Sequence, residues 1–361
     1  MPSSALSPPV VCCVLLLVVL CIEEDIRRRQ RMRHYLTRAS LPLYPRSAWR
    51  SVLESTDDRG LLNTTGFDRP TFNHLLSLFS PLWLMMRRRE RLVYPADALG
   101  LVLQYLNSTA RQKTLCQVFA MPPATLSVHL RRGLAVLLRA LRDDHDSRIA
   151  WPTAAEMQHF SSLMAAYSPA LSNVFGFVDG VYFPCNDPAD SDTQNAYYNA
   201  WKSCCSITNV LVFATDGTIV WARYNMPGSW GDGRLARPLY KRLCDPALTP
   251  PQYALVADSA FPRKGLVEGK IITPFKVGDV YRSNISIARQ DAYNTEVVRA
   301  RQGVEWGMHS VQSVFARLVV KLPYDPKYTQ RLLKLIFRLF NLRVRRVRLN
   351  QIHTVYSGPP S

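Results

Sequence analysis

The sequence has no Cys-x-x-Cys pair and no cysteine beside a histidine at zinc-ligand spacing. Its eight cysteines (Cys12, Cys13, Cys21, Cys116, Cys185, Cys204, Cys205 and Cys244) therefore make neither a zinc finger nor a disulfide scaffold. They read as buried, reduced thiols of an intracellular protein. Also missing is a run of the ~20 apolar residues that a membrane span requires. The apolar run Val10 to Ile22 (VVCCVLLLVVLCI) has 13 residues. Nothing basic precedes it and no small-residue cleavage site follows, so it fits a secretory signal poorly. A helix packed on the rest of the chain is the preferred reading, and a membrane anchor is the alternative. Internal repeats and low-complexity segments are absent. Acidic residues are scarce, 27 against 45 Lys and Arg, for a net charge of +18 and a pI near 9.8. That surplus, with its arginines clustered, points to a polyanionic partner, nucleic acid ahead of an anionic membrane surface.

What is present is 361 residues, 47% hydrophobic, enough for one large domain or two moderate ones. Residues 1–60 carry the apolar run, a basic stretch at Arg27–Arg33 (RRRQRMR) and a Pro-containing linker. The basic stretch reads either as a nuclear localisation patch or as a solvated helix face. Residues 61–146 read as helical: Pro70–Phe79, then Pro95–Leu106 with Pro at a favoured first-turn position, then Arg111–Phe119 and Ala124–Arg142 around the breaker Ala120-Met121-Pro122-Pro123. A short helix, a tight turn and a basic helix form a helix-turn-helix pattern, in which Arg131 and Arg132 would meet DNA; an ordinary three-helix bundle is the alternative.

From residue 171 the pattern turns to strands. Asn173–Phe183, Cys204–Ala214 and Thr218–Tyr224 form an antiparallel meander, with Asp216-Gly217 as a type I′ hairpin turn. Leu235–Cys244 is helical, Tyr253–Ala257 is a buried central strand, and Lys270–Phe275 is a further short strand. Helices span about Asp291–Leu318 and Lys327–Asn341, and Arg343–Arg348 (RVRRVR) is a basic cluster near the end of the chain. The fold class is α/β, a mixed sheet with flanking helices over residues 171–345, preceded by the all-helical region and followed by a tail at 346–361.

Three carboxylates stand where such elements deliver them. Asp179 interrupts an apolar strand and is followed by Gly180, which allows a close approach; a buried carboxylate of this kind needs a partner. Asp258 ends the central strand, where ligands of α/β sheets bind. Glu305 lies on a helix, beside the seam of Val304, Met308 and Val311. If the fold gathers them, like charges at close range demand cations. Oxygen ligands select Mg²⁺ or Mn²⁺, and two such ions clamp the attacking and leaving oxygens of a phosphoryl displacement. Each acid taken singly also reads as an N-cap or an ion pair. Asp232, which precedes the helix at Leu235, is the main competitor for a place in the triad and reads first as an N-cap or a supporting residue. Asp187, Asp190 and Asp192 read as solvated, and His309, one turn after Glu305, as a surface or core histidine.

The motifs VDGVYFP (178–184), MPGSWGD (226–232), VADSAF (256–261), IITPF (271–275) and VEWGMHSVQSVFARL (304–318) occur in one order. Together they resemble the catalytic domain of PIF/Harbinger-type DDE transposases and Harbinger transposase-derived nucleases, over roughly residues 60–345. The resemblance implies a ribonuclease-H-like fold and a Mg²⁺-dependent endonuclease or strand-transfer activity on DNA. By motif position Asp179, Asp258 and Glu305 match the three metal-binding acids. It further implies nuclear residence and a separate Myb-like DNA-binding partner protein; a homo-oligomer is an added expectation that the resemblance does not supply. Two departures stand out: Tyr198-Asn199-Ala200-Trp201-Lys202 replaces a more basic stretch, leaving Lys202 to face a phosphate, and Val256-Ala257-Asp258 replaces Leu-Gly-Asp. The competing function is a domesticated DNA-binding protein without catalysis.

Overall fold

The computed structural model describes residues 8–34, 36, 38–85, 93–275 and 287–357. In chain order its helices are α1 (Pro8–His34), α2 (Ala48–Ser55), α3 (Asp58–Thr65), α4 (Arg69–Met85), α5 (Pro95–Asn107), α6 (Gln112–Val118), α7 (Pro123–Ala140), α8 (Ala154–Tyr167), α9 (Ser191–Tyr197), α10 (Asp232–Leu235), α11 (Arg237–Cys244), α12 (Ile287–Val314), α13 (Pro326–Arg346) and α14 (Gln351–Ser357). Its strands are β1 (Val174–Pro184), β2 (Tyr198–Asn199), β3 (Cys204–Ala214), β4 (Ile219–Pro227), β5 (Ala254–Ala257) and β6 (Ile271–Ile272). Contacts gather the chain into two compact units, residues 1–55 with 110–130 and residues 56–109 with 131–361. These units cut across the boundaries at 60 and 146, because α3, α4 and α5 join the sheet-bearing unit.

In the first unit, Trp49 of α2 stacks on Phe119 at the end of α6, with ring centroids 5.4 Å apart. The turn into α7 holds Ala120 at φ 52°. The apolar run does form a helix, but not a packed one: Val14 to Leu20 keep between 48% and 63% of their surface exposed. Consecutive apolar residues from Cys12 to Ile22 occupy every side of the helix instead of one stripe, so no single face is specified for burial. On the same helix Arg27 pairs with Glu23 and Arg29 with Asp25, one turn apart, as on a solvated helix face. The side chains from Gln30 to Arg33 lie outside the described ones. Among the described residues no helix is long and apolar enough to cross a membrane. Cys12, Cys13 and Cys21 are exposed on α1, against the expectation of buried thiols, whereas Cys116, Cys185 and Cys205 are buried.

The second unit is built on the sheet. β1, β3 and β4 form the antiparallel meander, β5 then pairs with β1 in parallel and β6 with β5, while short β2 extends β3 at its start. This mixed α/β arrangement is consistent with a ribonuclease-H-like nuclease fold. The hairpin between β3 and β4 is not type I′. Gly217 alone has a positive φ, +87°; Gly217 N–H donates to Ala214 O, and Ala214 N–H to Thr218 O. Those bonds describe a three-residue loop closed by a left-handed glycine. Asp216 accepts from Thr218 N and Oγ1 across the loop.

One face of the sheet packs on α8, α10 and α11 through Met157, Phe160, Leu235, Leu239 and Leu243. The other packs on α12, α13 and α14: Phe177 meets Tyr356, Phe213 meets Phe340, and Gly303 and Gly307 let α12 lie against the rings of Phe177 and Phe213. Helix α13 also seals the edge strand β4. Buried Asn341 accepts from Ile219 N (2.8 Å) and donates to Ile219 O (2.8 Å), as a neighbouring strand would. The helix runs past Asn341 to Arg346, so most of the RVRRVR cluster is helix, not tail. Arg343 donates to Gly66 O (2.8 Å) and Leu349 O (2.7 Å), and Arg345 to Asp146 O (2.6 Å) and Arg148 O (3.0 Å). The expected tail contains α14, whose Ile352 and Tyr356 are buried.

Candidate active site

Parallel pairing of β1 with β5 brings the first two acids together. Val178 lies opposite Ala257, so Asp179 and Asp258 follow one step further on neighbouring strands, whose separation is about 4.8 Å. β5 ends at Ala257, and beyond it β1 loses that neighbour. The aspartates thus stand at the carboxyl end of β5, at an open edge of the sheet. Side chains alternate along a strand, so Asp179 shares the face of Phe177, the face covered by α12. Asp258 closes a local turn, its Oδ1 accepting from Ala260 N at 2.8 Å.

Asp232 arrives from the other face. It is the first residue of α10, whose N-cap is Gly231 with no side-chain cap bond, so the expected capping role is not formed. Its carboxylate instead accepts from the Tyr182 hydroxyl, at 3.1 and 3.3 Å. It fills the space over Gly180, where a Cβ would overlap the carboxylate. The close approach that Gly180 allows is therefore made by a third acid. A tyrosine hydroxyl from strand β1 takes the Asp232 carboxylate, and that pairing has no linear signature.

The electrostatics bind these groups together. Burial raises the Asp179 carboxyl to about 6, and the charges of Asp258 and Asp232 push the same way, against the Gly180 N–H (2.7 Å) and Arg301. Burial, then Asp258, raises Asp232, while its bond from Tyr182 lowers it. Burial and the negative charge of Asp232 raise Tyr182, and burial with Asp232 lifts the Tyr240 hydroxyl to about 12. That hydroxyl is buried with no hydrogen-bond partner among the described residues, and so is Arg301 Nε.

Glu305 sits on α12, one turn beyond Arg301, with its side chain exposed. It is not among the groups whose charges shift Asp179. Among the described residues no three of His, Cys, Asp and Glu close around one point at metal-binding distance. The donor set still fits a hard divalent cation: carboxylate oxygens only, drawn from adjacent strands, raising one another's affinity for positive charge. His309 is exposed. Asp190 caps α9 by accepting from Thr193 N, and Asp187 pairs with Lys321 at 3.2 Å. Of the expected DNA contacts, Arg131 and Lys202 are exposed, while Arg132 lies half-buried with its guanidinium over the Trp83 ring.

Residues 178–341 match the model of a family described as DDE superfamily endonuclease. The matched segment begins one residue before Asp179 and spans Asp232, Asp258 and Glu305. It supports a DDE transposase-like family and a transposase-like nuclease function; nucleases of this kind act on DNA and generally use divalent metals. No curated protein and no solved structure matches the chain.

Proposed function

We propose that this chain is a metal-dependent DNA endonuclease of the PIF/Harbinger transposase type, with Asp179, Asp258 and Glu305 as its acidic triad. The observation that carries the reading is the register of β1 and β5, which sets Asp179 beside Asp258 at the open edge of the sheet. Carboxylates that are partly buried and repel one another are costly unless a cation joins them. Asp179 and Asp258 would hold the ions, and Glu305, on the helix that covers the same face, would complete the set. Two divalent ions, when bound, supply positive charge to the scissile phosphodiester and lower the pKa of the attacking water. Arg301 lies close enough to offset part of the charge on Asp179. Tyr182 fixes Asp232 beside the pair, where it adds negative charge without closing the open edge.

Mg²⁺ or Mn²⁺ is the expected ion, the nucleus the expected compartment, and a Myb-like protein and a second copy of the chain the expected partners. Cleavage is favoured over simple DNA binding because the matched segment spans all of these acids. The test is plasmid nicking with Mg²⁺ by the parent chain and by Asp179→Ala, Asp258→Ala and Glu305→Ala. Nicking by the parent alone is expected. Nicking that survives all three substitutions would exclude this site.

A further inference from the structure

The basic surplus is not spread evenly, and part of it forms two parallel rows on neighbouring helices of the sheet-bearing unit. Arg131, Arg139 and Arg142 fall at helical spacing along α7 and just past its end; Lys327, Arg331 and Lys334 do the same along α13. All six are exposed, and none has an ion-pair partner among the described residues.

The helices carrying them lie side by side. Arg131, Leu134 and Ala135 share a shallow cleft with Tyr328, Arg331 and Leu332. Further along, Arg338, on the same row as Lys334, donates to Leu141 O (2.6 Å) and Arg142 O (3.2 Å). The rows therefore run in the same direction, on axes about 8–10 Å apart, the usual spacing of packed helices. The longer row, from 131 to 142, extends about 16 Å at 1.5 Å per residue. Surface lysines and arginines usually find carboxylates when these are near. Six that remain unpaired on one surface repel one another and await an anion with repeating charge.

We propose that the paired rows of α7 and α13 are a backbone-gripping surface for duplex DNA, separate from the carboxylate site. The spacing of the rows is comparable with the grooves of B-DNA, about 6 Å wide for the minor and 12 Å for the major, so each row follows one of the phosphate strands bordering a groove. Such contacts position a duplex and read no sequence. The assignment differs from a recognition helix in a major groove, because half of the cations come from α13, near the other end of the chain. It rests on the nuclease reading only for DNA as the natural partner, since binding through this surface needs neither metal nor cleavage.

The experiment is fluorescence anisotropy of a random-sequence 20-base-pair duplex in EDTA, at KCl from 50 to 300 mM. It compares the full chain with a variant combining Arg131→Gln, Arg139→Gln, Arg331→Gln and Lys334→Gln. A second variant removes equal charge elsewhere, combining Arg27→Gln, Arg28→Gln, Arg29→Gln and Lys241→Gln. Each lost phosphate contact lowers the slope of log K against log salt by about 0.9, so the first variant is expected to lose roughly 3 to 4 units. Affinity near 150 mM should fall more than about tenfold, with an unchanged melting temperature, while the second variant keeps most of the parent slope. Equal losses in both variants, no loss in the first, or no duplex binding by the parent would overturn the surface. So would a parent that binds phosphatidylserine vesicles in preference to the duplex and loses only that binding in the first variant. Nicking of a plasmid in Mg²⁺, measured alongside, judges the carboxylate site independently.

Discussion

Asp179 is held in an unfavourable place for a negative charge. In the unfolded chain its carboxyl returns to 3.8, and in the folded chain it rises to about 6, a difference of about 3 kcal/mol at most. Because the folded value is the higher one, the protonated form favours folding. The contribution is fully present below pH 4 and is lost as pH rises through about 6. In metal-free urea denaturation, Asp179→Asn should therefore exceed the parent in stability at pH 8, by up to about 3 kcal/mol, and match it near pH 4. Equal stabilities at both pH values would show that the site does not strain this carboxylate. Gly180 supplies a second test. Gly180→Ala places a methyl group on the Asp232 carboxylate and should cost about 1–3 kcal/mol. Adding Asp232→Ala should recover most of that cost, whereas additive losses would place the strain elsewhere. Asp179 and Asp258 were legible in the sequence because each breaks an apolar strand pattern. Asp232 was legible as a competing acid, but its bond was not, since an acid entering a helix looks like a cap and Tyr182 lies 50 residues away.

The strands were the most legible elements. β3 has the bounds that its β-branched, mostly apolar sequence indicates, and β1 and β4 differ from theirs by a few residues. A strand buried on both faces carries its own signal in composition. Lys270–Phe275 forms only Ile271–Ile272 as strand, since β6 pairs solely with the short β5. Helix α8 announces itself by a capping box, Thr153 with Glu156, that the strand and helix periodicity around it obscures. The helix expected over Lys327–Asn341 continues to Arg346 as α13, and the structure uses the Asn341 amide to close the edge of β4. Asn341→Leu leaves Ile219 N–H and C=O buried without partners, at about 1–3 kcal/mol for each orphaned group. Thermal denaturation should show a clear drop in Tm, and hydrogen exchange should show earlier loss of protection at Ile219 than at β1. A neutral substitution would mean that the edge of β4 needs no cover.

At the scale of the whole molecule, charge was read correctly in amount and only partly in place. The net charge of +18 indicated a polyanion, and the segment match supports DNA as what such nucleases act on. The cluster at 343–348, the densest in the second half of the chain, mostly serves the fold: Arg343 and Arg345 clamp backbone carbonyls and Arg346 pairs with Asp146 at 2.7 Å. Unpaired cations line α7 and α13, interspersed among apolar residues that hide them in a linear pattern. The convergence of Asp179, Asp258 and Asp232 depends on strand order, which no local stretch encodes.

The central claim is that Asp179 and Asp258 together hold a divalent cation. Its most direct test is Mn²⁺ binding to the full chain, followed by the loss of the free-ion electron paramagnetic resonance signal, with Asp179→Asn and Asp258→Asn as comparisons. The account expects saturable binding by the parent and at least about a tenfold weaker binding by each variant, since removing one charged ligand costs more than the ~1.4 kcal/mol that tenfold represents. Parent and variants that bind Mn²⁺ equally, or not at all, would contradict it.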